Sequence, residues 1–475
     1  MVAHPAAAGC DLLLVPSFSA DPRTLQAIRG IESWPERQLI ELRHLCAAAN
    51  RLFFVSPVAV SEACLEAVLE LLPGAPASWW RRRLQLIPLN DRTPRPLAEK
   101  LLERPRLLEQ LQQQLRPGAV LAAYAVGEAE MALAQRLGLR LEGSPAALAP
   151  LGSKAGAAAV FQELGLPQPA STPLCRSVPA LAEAIEALLL ADSAIPALLV
   201  KLNCMAGGRG NAPLPLALPP WRALAPAERR GALERALERL AMPLPHWREE
   251  LEQRGAIAQA LIGAPPGCRK ARFSSPSVQL WIDASGGVQV LSSHEQLLAG
   301  PHGFSYEGCR FPARAAYRPA LLAIGRRLGE HLAGLGCRGP VLLDLLARHD
   351  PDGWRLWAIE INLRKGGTSH PFQLAASLAG GGIDPHSGLL LAADGRPVYY
   401  EAGDAIARPQ WRGLLPEQLL DALVHQGFYL DPTRLQGCIP HRLGALGEHG
   451  LIGVTALGRS RLEAAALMRS VQQLS

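Results

Sequence analysis

Glu360, Asn362 and Arg364 stand at every second position of the stretch WAIEINLR. Strand side chains alternate between faces. As a strand, this stretch puts the three in one row while Ile361 and Leu363 face the other way. Buried charge is costly unless it is paired or bound to metal. A hard cation such as Mg²⁺, which takes oxygen ligands, accounts for the carboxylate and the amide. Arg364 then faces an anion, most simply a phosphate. Upstream, 340–348 (PVLLDLLAR) carries a single carboxylate, Asp344, inside an apolar run. Between the two lies 349–353 (HDPDG), where Pro presets φ and Asp-Gly favours reversal. A hairpin folded there sets Asp344 opposite or diagonal to Glu360. The plain alternative is a half-exposed hairpin with its polar residues outward. The isolation of Asp344 favours a metal site made by Asp344, Glu360 and Asn362.

The lysines point the same way. Of 48 basic residues only Lys100, Lys154, Lys201, Lys270 and Lys365 are lysine. A lysine kept where arginine serves elsewhere suits a compact point charge on a flexible stem, which phosphate binding uses. Lys154 lies in 151–169 (LGSKAGAAAVFQELGLPQP), a helix with Ser153 as N-cap, Gly165 at its end and Pro167 past the stop. A cation in the first turn opposes the helix dipole, so a bound anion is a motive. A plain surface lysine is the alternative. Lys201 is the one charge in the strand 197–203 (ALLVKLN), and AGGRGN follows at once. Gly207, Gly208, Arg209 and Gly210 form a loop whose backbone N–H groups can approach phosphate oxygens closely. Strand, lysine and glycine loop fit a flap over phosphates, although a glycine run alone is usually only a turn. The pattern is neither a Walker A loop nor a dinucleotide fingerprint. After the metal strand, 365–371 (KGGTSHP) reads as a loop that brings Lys365 beside the phosphate. His370 there is more often a structural hydrogen-bonder than a base. Arg310 divides evenly between a substrate-carboxylate contact and a surface role.

The elements that must position these groups run the length of the chain. With 475 residues, two or three domains are expected. Hydrophobic content of 49% with 19% charged residues describes a globular, soluble class. No apolar run nears the ~20 residues of a membrane span, and the N-terminus lacks the basic start of a signal peptide. Nine cysteines, odd in number and without a CxxC pair, fit free thiols in a reducing cytoplasm. The net charge of +6 has no basic block behind it. The densest cluster, SWWRRR at 78–83, reads as a solvated turn, so no nucleic-acid partner is expected.

Strand-like runs at 11–16, 51–57, 84–88 and 120–124 alternate with helical stretches at 36–49, 61–72 and 128–137. This is the texture of an α/β layer. Pro105 starts a helix of its own. Residues 256–263 (AIAQALIG) read as a strand, 275–283 and 288–292 as a hairpin, and 318–335 as a helix. Beyond 378 come a linker, a hairpin, a helix at 415–427 and a capping box at Ser460–Glu463.

Asp344, Glu360-x-Asn362-x-Arg364, the Ser153-Lys154 pair and EINLRKGGTSHP together resemble the ATP-grasp carboxylate–amine ligases, in particular the pheganomycin-type peptide ligases and their relatives. The resemblance implies an ATP-grasp fold of class α/β (α+β), preceded by an α/β pre-ATP-grasp domain. Boundaries then fall at 1–150, 151–378 and 379–475, the last a C-terminal extension completing or flanking the ATP-grasp domain. Lys154, Lys201, Gly207, Gly208, Arg209 and Gly210 would hold ATP phosphates, and Gln259, Ala260 and Leu261 would hold adenine through the backbone. Ala258 departs from the family, which carries an acidic residue there. Asp344, Glu360 and Asn362 would bind one or two Mg²⁺, with Mn²⁺ an alternative. Arg364 and Lys365 would act in catalysis. The implied reaction joins a small-molecule carboxylate to an amine, an amino acid or peptide, through an acyl phosphate, releasing ADP and phosphate. A homodimer is compatible. Two other classes use the same residues: an ATP-grasp kinase or ligase on another acceptor, and a non-catalytic ATP-binding protein.

Overall fold

The structure, a computed structural model, describes residues 9–20, 22–205, 210–215, 223–240, 242, 246–263, 272–300 and 303–474. It is a mixed α/β molecule. Five short strands form a wholly parallel sheet in the order Leu84–Pro88, Arg51–Ser56, Asp11–Val15, Val120–Ala123, Arg140–Glu142. The central strand, DLLLV, is apolar without alternation because both of its faces are covered. Leu12 and Leu14 enter one core, Leu13 and Val15 another. Pro105 takes the first position of the helix Pro105–Gln114 as expected, and Gly138 ends Glu128–Leu137 at φ 68°. The stretch expected as a helix over 36–49 is instead a 3₁₀ segment, Ile31–Cys46, with Pro35 inside it. Proline has no N–H to give an α-helical ladder.

The second half is built on a nine-stranded sheet. One path runs Gly353–Asn362, Gly339–Asp350, Pro276–Ile282, Val288–Ala299, Ser305–Phe311, Tyr399–Ala407, Leu451–Gly458, Gly437–His441, and Arg272–Ser274 pairs with Gly339–Asp350. The helix Arg318–Gly334 covers one face, with Leu321, Leu328 and Leu332 fully buried among Val278, Leu280 and Val341. Residues past 378, read from sequence as a linker and flank, put three strands into this sheet. They also share a core with the parallel domain: Ile406, Trp411, Leu423 and Met468 lie with Leu12, Leu14 and Phe54. A third sheet, Asn211–Pro215, Ala197–Leu202, Ala256–Ala260, is antiparallel and packs on the helices Val178–Ala191 and Pro226–Glu238. No helix among the described residues is long and apolar enough to cross a membrane.

Candidate active site

The hairpin forms with a tight turn, pairing Asp350 with Gly353. Its register sets Asp344 directly opposite Glu360 and Leu342 opposite Asn362. Asn362 Nδ2 donates to Asp344 Oδ2 at 3.2 Å, so the three oxygen-bearing side chains converge. The strand ends at Asn362 and does not run on to 371. Residues 369–379 form the helix Ser369–Ala379, because Pro371 is tolerated in a first turn.

Lys154 reaches this hairpin from the facing helix Lys154–Glu163. Ser153 Oγ accepts from Gly156 N at 3.0 Å, which opens the helix where expected. The backbone N–H groups of Lys154 and Ala155 donate to Asn203 O (3.0 Å) and Asn203 Oδ1 (2.9 Å), fastening the turn to the end of the Ala197–Leu202 strand. Lys154 Nζ then lies 2.5 Å from Glu360 Oε2. In the neighbouring strand, Leu198, Val200 and Leu202 enter a core while Leu199 and Lys201 face a cavity. Period-2 alternation is what aims Lys201. Lys201 Nζ donates to Gln259 Oε1 at 2.5 Å.

Lys201, Gln259, Asp344, Glu360 and Asn362 line one wall of a cavity of about 440 Å³, and Lys154 reaches that wall through Glu360. The charges there are coupled. Burial, then the Lys154 charge, lowers Lys201 to about 8. Burial, then Glu360, raises Asp344 to about 7. Burial works against an ionised Glu360, but Lys154, Arg364 and Lys201 together outweigh it and the net shift is downward. Opposed shifts in facing carboxylates are a signature of functional sites. The donors are all oxygen, and a carboxylate held that far up is short of positive charge. Asp344, Glu360 and Asn362 therefore suit a hard cation.

The remaining expected residues divide. Gln259, Ala260 and Leu261 line the cavity. The N–H groups of Ala260 and Leu261, however, donate to Ala170 O (2.7 Å) and Ala197 O (2.9 Å). Ala258 faces the core instead of the cavity, so the departure from the family motif falls away from the site. Arg364 lines the cavity, its guanidinium 5.7 Å from the Phe18 ring and 5.8 Å from the Tyr124 ring. Lys365 does not join it: its Nζ is 2.7 Å from Glu41 Oε1 and the side chain is buried. His370 is buried against Arg37 and His441. Arg310 Nε donates to Glu401 at 2.7 Å, which answers its even reading in favour of a structural pair. Gly210 accepts from Leu202 N at 2.9 Å. Gly207, Gly208 and Arg209 lie outside the described residues.

Sequence reasoning missed a whole wall. Phe18, Trp34, Arg37 and Tyr124 of the parallel domain line the cavity, with Trp34 edge-on to Tyr124 at 4.5 Å. Gln296 was missed as well, although its Nε2 donates to Asp344 Oδ1 at 2.5 Å. Nothing in local spacing marks these residues, since each is an isolated polar or aromatic residue in its own segment.

Searched against family models, the chain matches none. It is 32% identical to the L-propargylglycine–L-glutamate ligase of Streptantibioticus cattleyicolor over 99% of this chain and 95% of that protein. Among solved structures it resembles N5-carboxyaminoimidazole ribonucleotide synthetase from Thermus thermophilus, with a TM-score of 0.53 and 15% identity over 98% of each chain. Biotin carboxylase from Campylobacter jejuni superposes with a TM-score of 0.57 and 12% identity over 97% of this chain and 90% of the other.

Proposed function

This chain belongs to the ATP-grasp carboxylate–amine ligases, and from that premise we propose that it condenses two amino-acid or peptide substrates through an acyl phosphate. The observation that carries the reading is the convergence of Lys201, Asp344, Glu360 and Asn362 on one cavity wall, with Lys154 paired to Glu360. The substrate class rests on the name of the Streptantibioticus relative, which joins two amino acids.

In this reading Lys154, Lys201 and the 207–210 loop hold the phosphates of ATP, and the 259–261 segment borders the base. Asp344, Glu360 and Asn362 would hold Mg²⁺, which when bound supplies Lewis-acid neutralisation of phosphoryl charge. A carboxylate oxygen of the first substrate attacks the γ-phosphorus, and the bond to the β–γ bridging oxygen breaks as ADP leaves. The amine nitrogen of the second substrate attacks the acyl carbon. Phosphate departs with the C–O electron pair, and the amine loses a proton. Arg364 offers a guanidinium to the anion formed between these steps. Positioning and electrostatics suffice, so no protein nucleophile is needed.

The test is incubation with ATP, Mg²⁺ and pools of amino acids and dipeptides, with ADP, AMP and phosphate measured. ADP and phosphate released only when a carboxylate and an amine are both present is the expected result. AMP with pyrophosphate would exclude the acyl-phosphate route.

A further inference from the structure

One part of the cavity wall holds polar groups that the proposed chemistry does not use. Arg37 lines it with 6% of its side chain exposed. Its Nη2 bonds Asp404 Oδ2 at 2.9 Å and approaches His370 Nδ1 at 3.3 Å, yet its Nε is buried with no partner. Two further buried hydroxyls line the same part. Thr368 Oγ1 has no hydrogen-bond partner, and Tyr306 Oη has none beyond the Cys309 thiol, with Asp404 and Arg37 as its charged neighbours. A thiol is a weak partner. Buried polar groups are nearly always satisfied, so three unsatisfied groups lining one part of one cavity want an explanation.

The backbone is shaped to the same part. Gly366 and Gly367 line it, and a Cβ on Gly367 would run into the Tyr306 ring. Thr368 is the N-cap of the eleven-residue helix Ser369–Ala379, but its hydroxyl makes no cap bond. The helix therefore sets its positive end against the cavity. A side chain that normally satisfies its own helix is left to something else.

A guanidinium Nε only donates, and a hydroxyl can donate. Three donors and a helix N-terminus describe a carboxylate acceptor. The reacting carboxylate belongs beside Glu360 and Lys154, so this is a different one. We infer that Arg37, Tyr306 and Thr368 form a recognition site for the non-reacting α-carboxylate of an amino-acid substrate. The site rests on the ligase reading for its role but on its own geometry for its ligand. The carboxylate belongs either to the acyl donor or to the amine acceptor.

The experiment titrates the full chain, with and without Mg²⁺ and ADP, against the proteinogenic L-amino acids and their α-carboxamides, following binding by calorimetry. At least one amino acid is expected to bind about tenfold or more tightly than its carboxamide, since one charged hydrogen bond is worth that much. Arg37→Gln is expected to erase the difference while leaving ADP affinity unchanged. Tyr306→Phe and Thr368→Val, which keep shape and lose only a hydroxyl, are each expected to reduce it severalfold. Because these two variants keep the Arg37 pair intact, a misfolded Arg37→Gln does not end the test. Equal binding of amino acid and carboxamide, or no amino-acid binding by a chain that binds ADP, overturns the site and leaves the ligase reading standing. Discrimination by a chain that never turns over ATP supports the site and overturns the ligase reading. In turnover assays, a carboxamide refused only as amine donor assigns the site to the acceptor, and one refused only as acyl donor assigns it to the donor.

Discussion

The two ends of the cavity handle buried charge differently. At the hairpin end, Asp344, Glu360, Lys154 and Lys201 come from neighbouring strands and one facing helix, and their polar atoms converge where a cation and phosphates would sit. At the far end, Arg37 comes from a segment 333 residues before His370, and it closes on Asp404, His370 and His441 from three C-terminal segments. Arg37 bonds Asp404, and both imidazoles are held neutral by burial and the neighbouring guanidinium. The first end is built to receive charge from outside. The second is largely closed, apart from the donors that line the cavity.

The largest effect expected follows from that closure. Asp404→Leu leaves the Arg37 guanidinium buried without its carboxylate, and neither histidine can replace the charge. The expected loss is about 3–5 kcal/mol of stability. The double variant Arg37→Met/Asp404→Leu is expected to recover most of it, because an apolar pair of similar volume is often neutral. Denaturant melts of these two variants and of Arg37→Met alone measure the coupling. A loss that does not recover in the double variant would mean that packing, not charge, holds this end.

At the open end the expectation is reversed. Glu360→Gln leaves the melting transition within about 1 kcal/mol, because the amide keeps the volume and Asp344, relieved of the Glu360 charge that raises it, ionises and balances Lys154. Turnover of ATP falls by about 10²–10³-fold, the scale for losing one preorganised electrostatic contact. Lys201→Ala is expected to do likewise. Normal ADP release in either would sink the assignment of this wall.

This contrast also explains what the sequence could convey. Period 2 placed Glu360 and Asn362 on one face, and the Pro-Asp turn set Asp344 opposite Glu360, so the hairpin was readable from a few dozen residues. Ser153, Gly165 and Pro167 likewise marked the helix that carries Lys154. Arg37 and Asp404 were not readable, since their meeting depends on how the parallel sheet packs on the C-terminal strands. Lys365 misled for a related reason: the loop after the strand was expected to carry it to the phosphate, but where that loop leads depends on packing against the parallel domain, and Glu41 took the charge.

Acid should separate the two ends. Free histidine titrates near 6.5. His294 is lowered by burial to about 3, and His370 and His441 are lowered well below 6.5. The unfolded chain then binds more protons below pH 6.5, so this stability is complete above 6.5 and lost as pH falls. The slope is about 1.4 kcal/mol per pH unit for each histidine. Asp344 runs the other way: its raised carboxyl stabilises the fold in acid, and that contribution is lost as pH rises through about 7. Mg²⁺ should offset the second loss and not the first. The check is melting temperature from pH 5 to 8 with and without Mg²⁺, with a Mg²⁺ shift that grows as pH rises.

The smallest effect compares two helix starts, one at each end. Ser153 Oγ accepts from Gly156 N, whereas Thr368 caps nothing. Ser153→Ala removes a working cap and is expected to lower stability by about 1 kcal/mol. Thr368→Val removes a buried hydroxyl that has no partner, keeps its volume, and is expected to be neutral or slightly stabilising. The two substitutions look alike in sequence, each deleting a hydroxyl at the N-cap of a helix. If Thr368→Val destabilises as much as Ser153→Ala, its hydroxyl belongs to the fold. If it is neutral in the melt but weakens amino-acid binding, the hydroxyl is kept for a ligand, and the far end of the cavity is open in the one place where its charges are not already closed on each other.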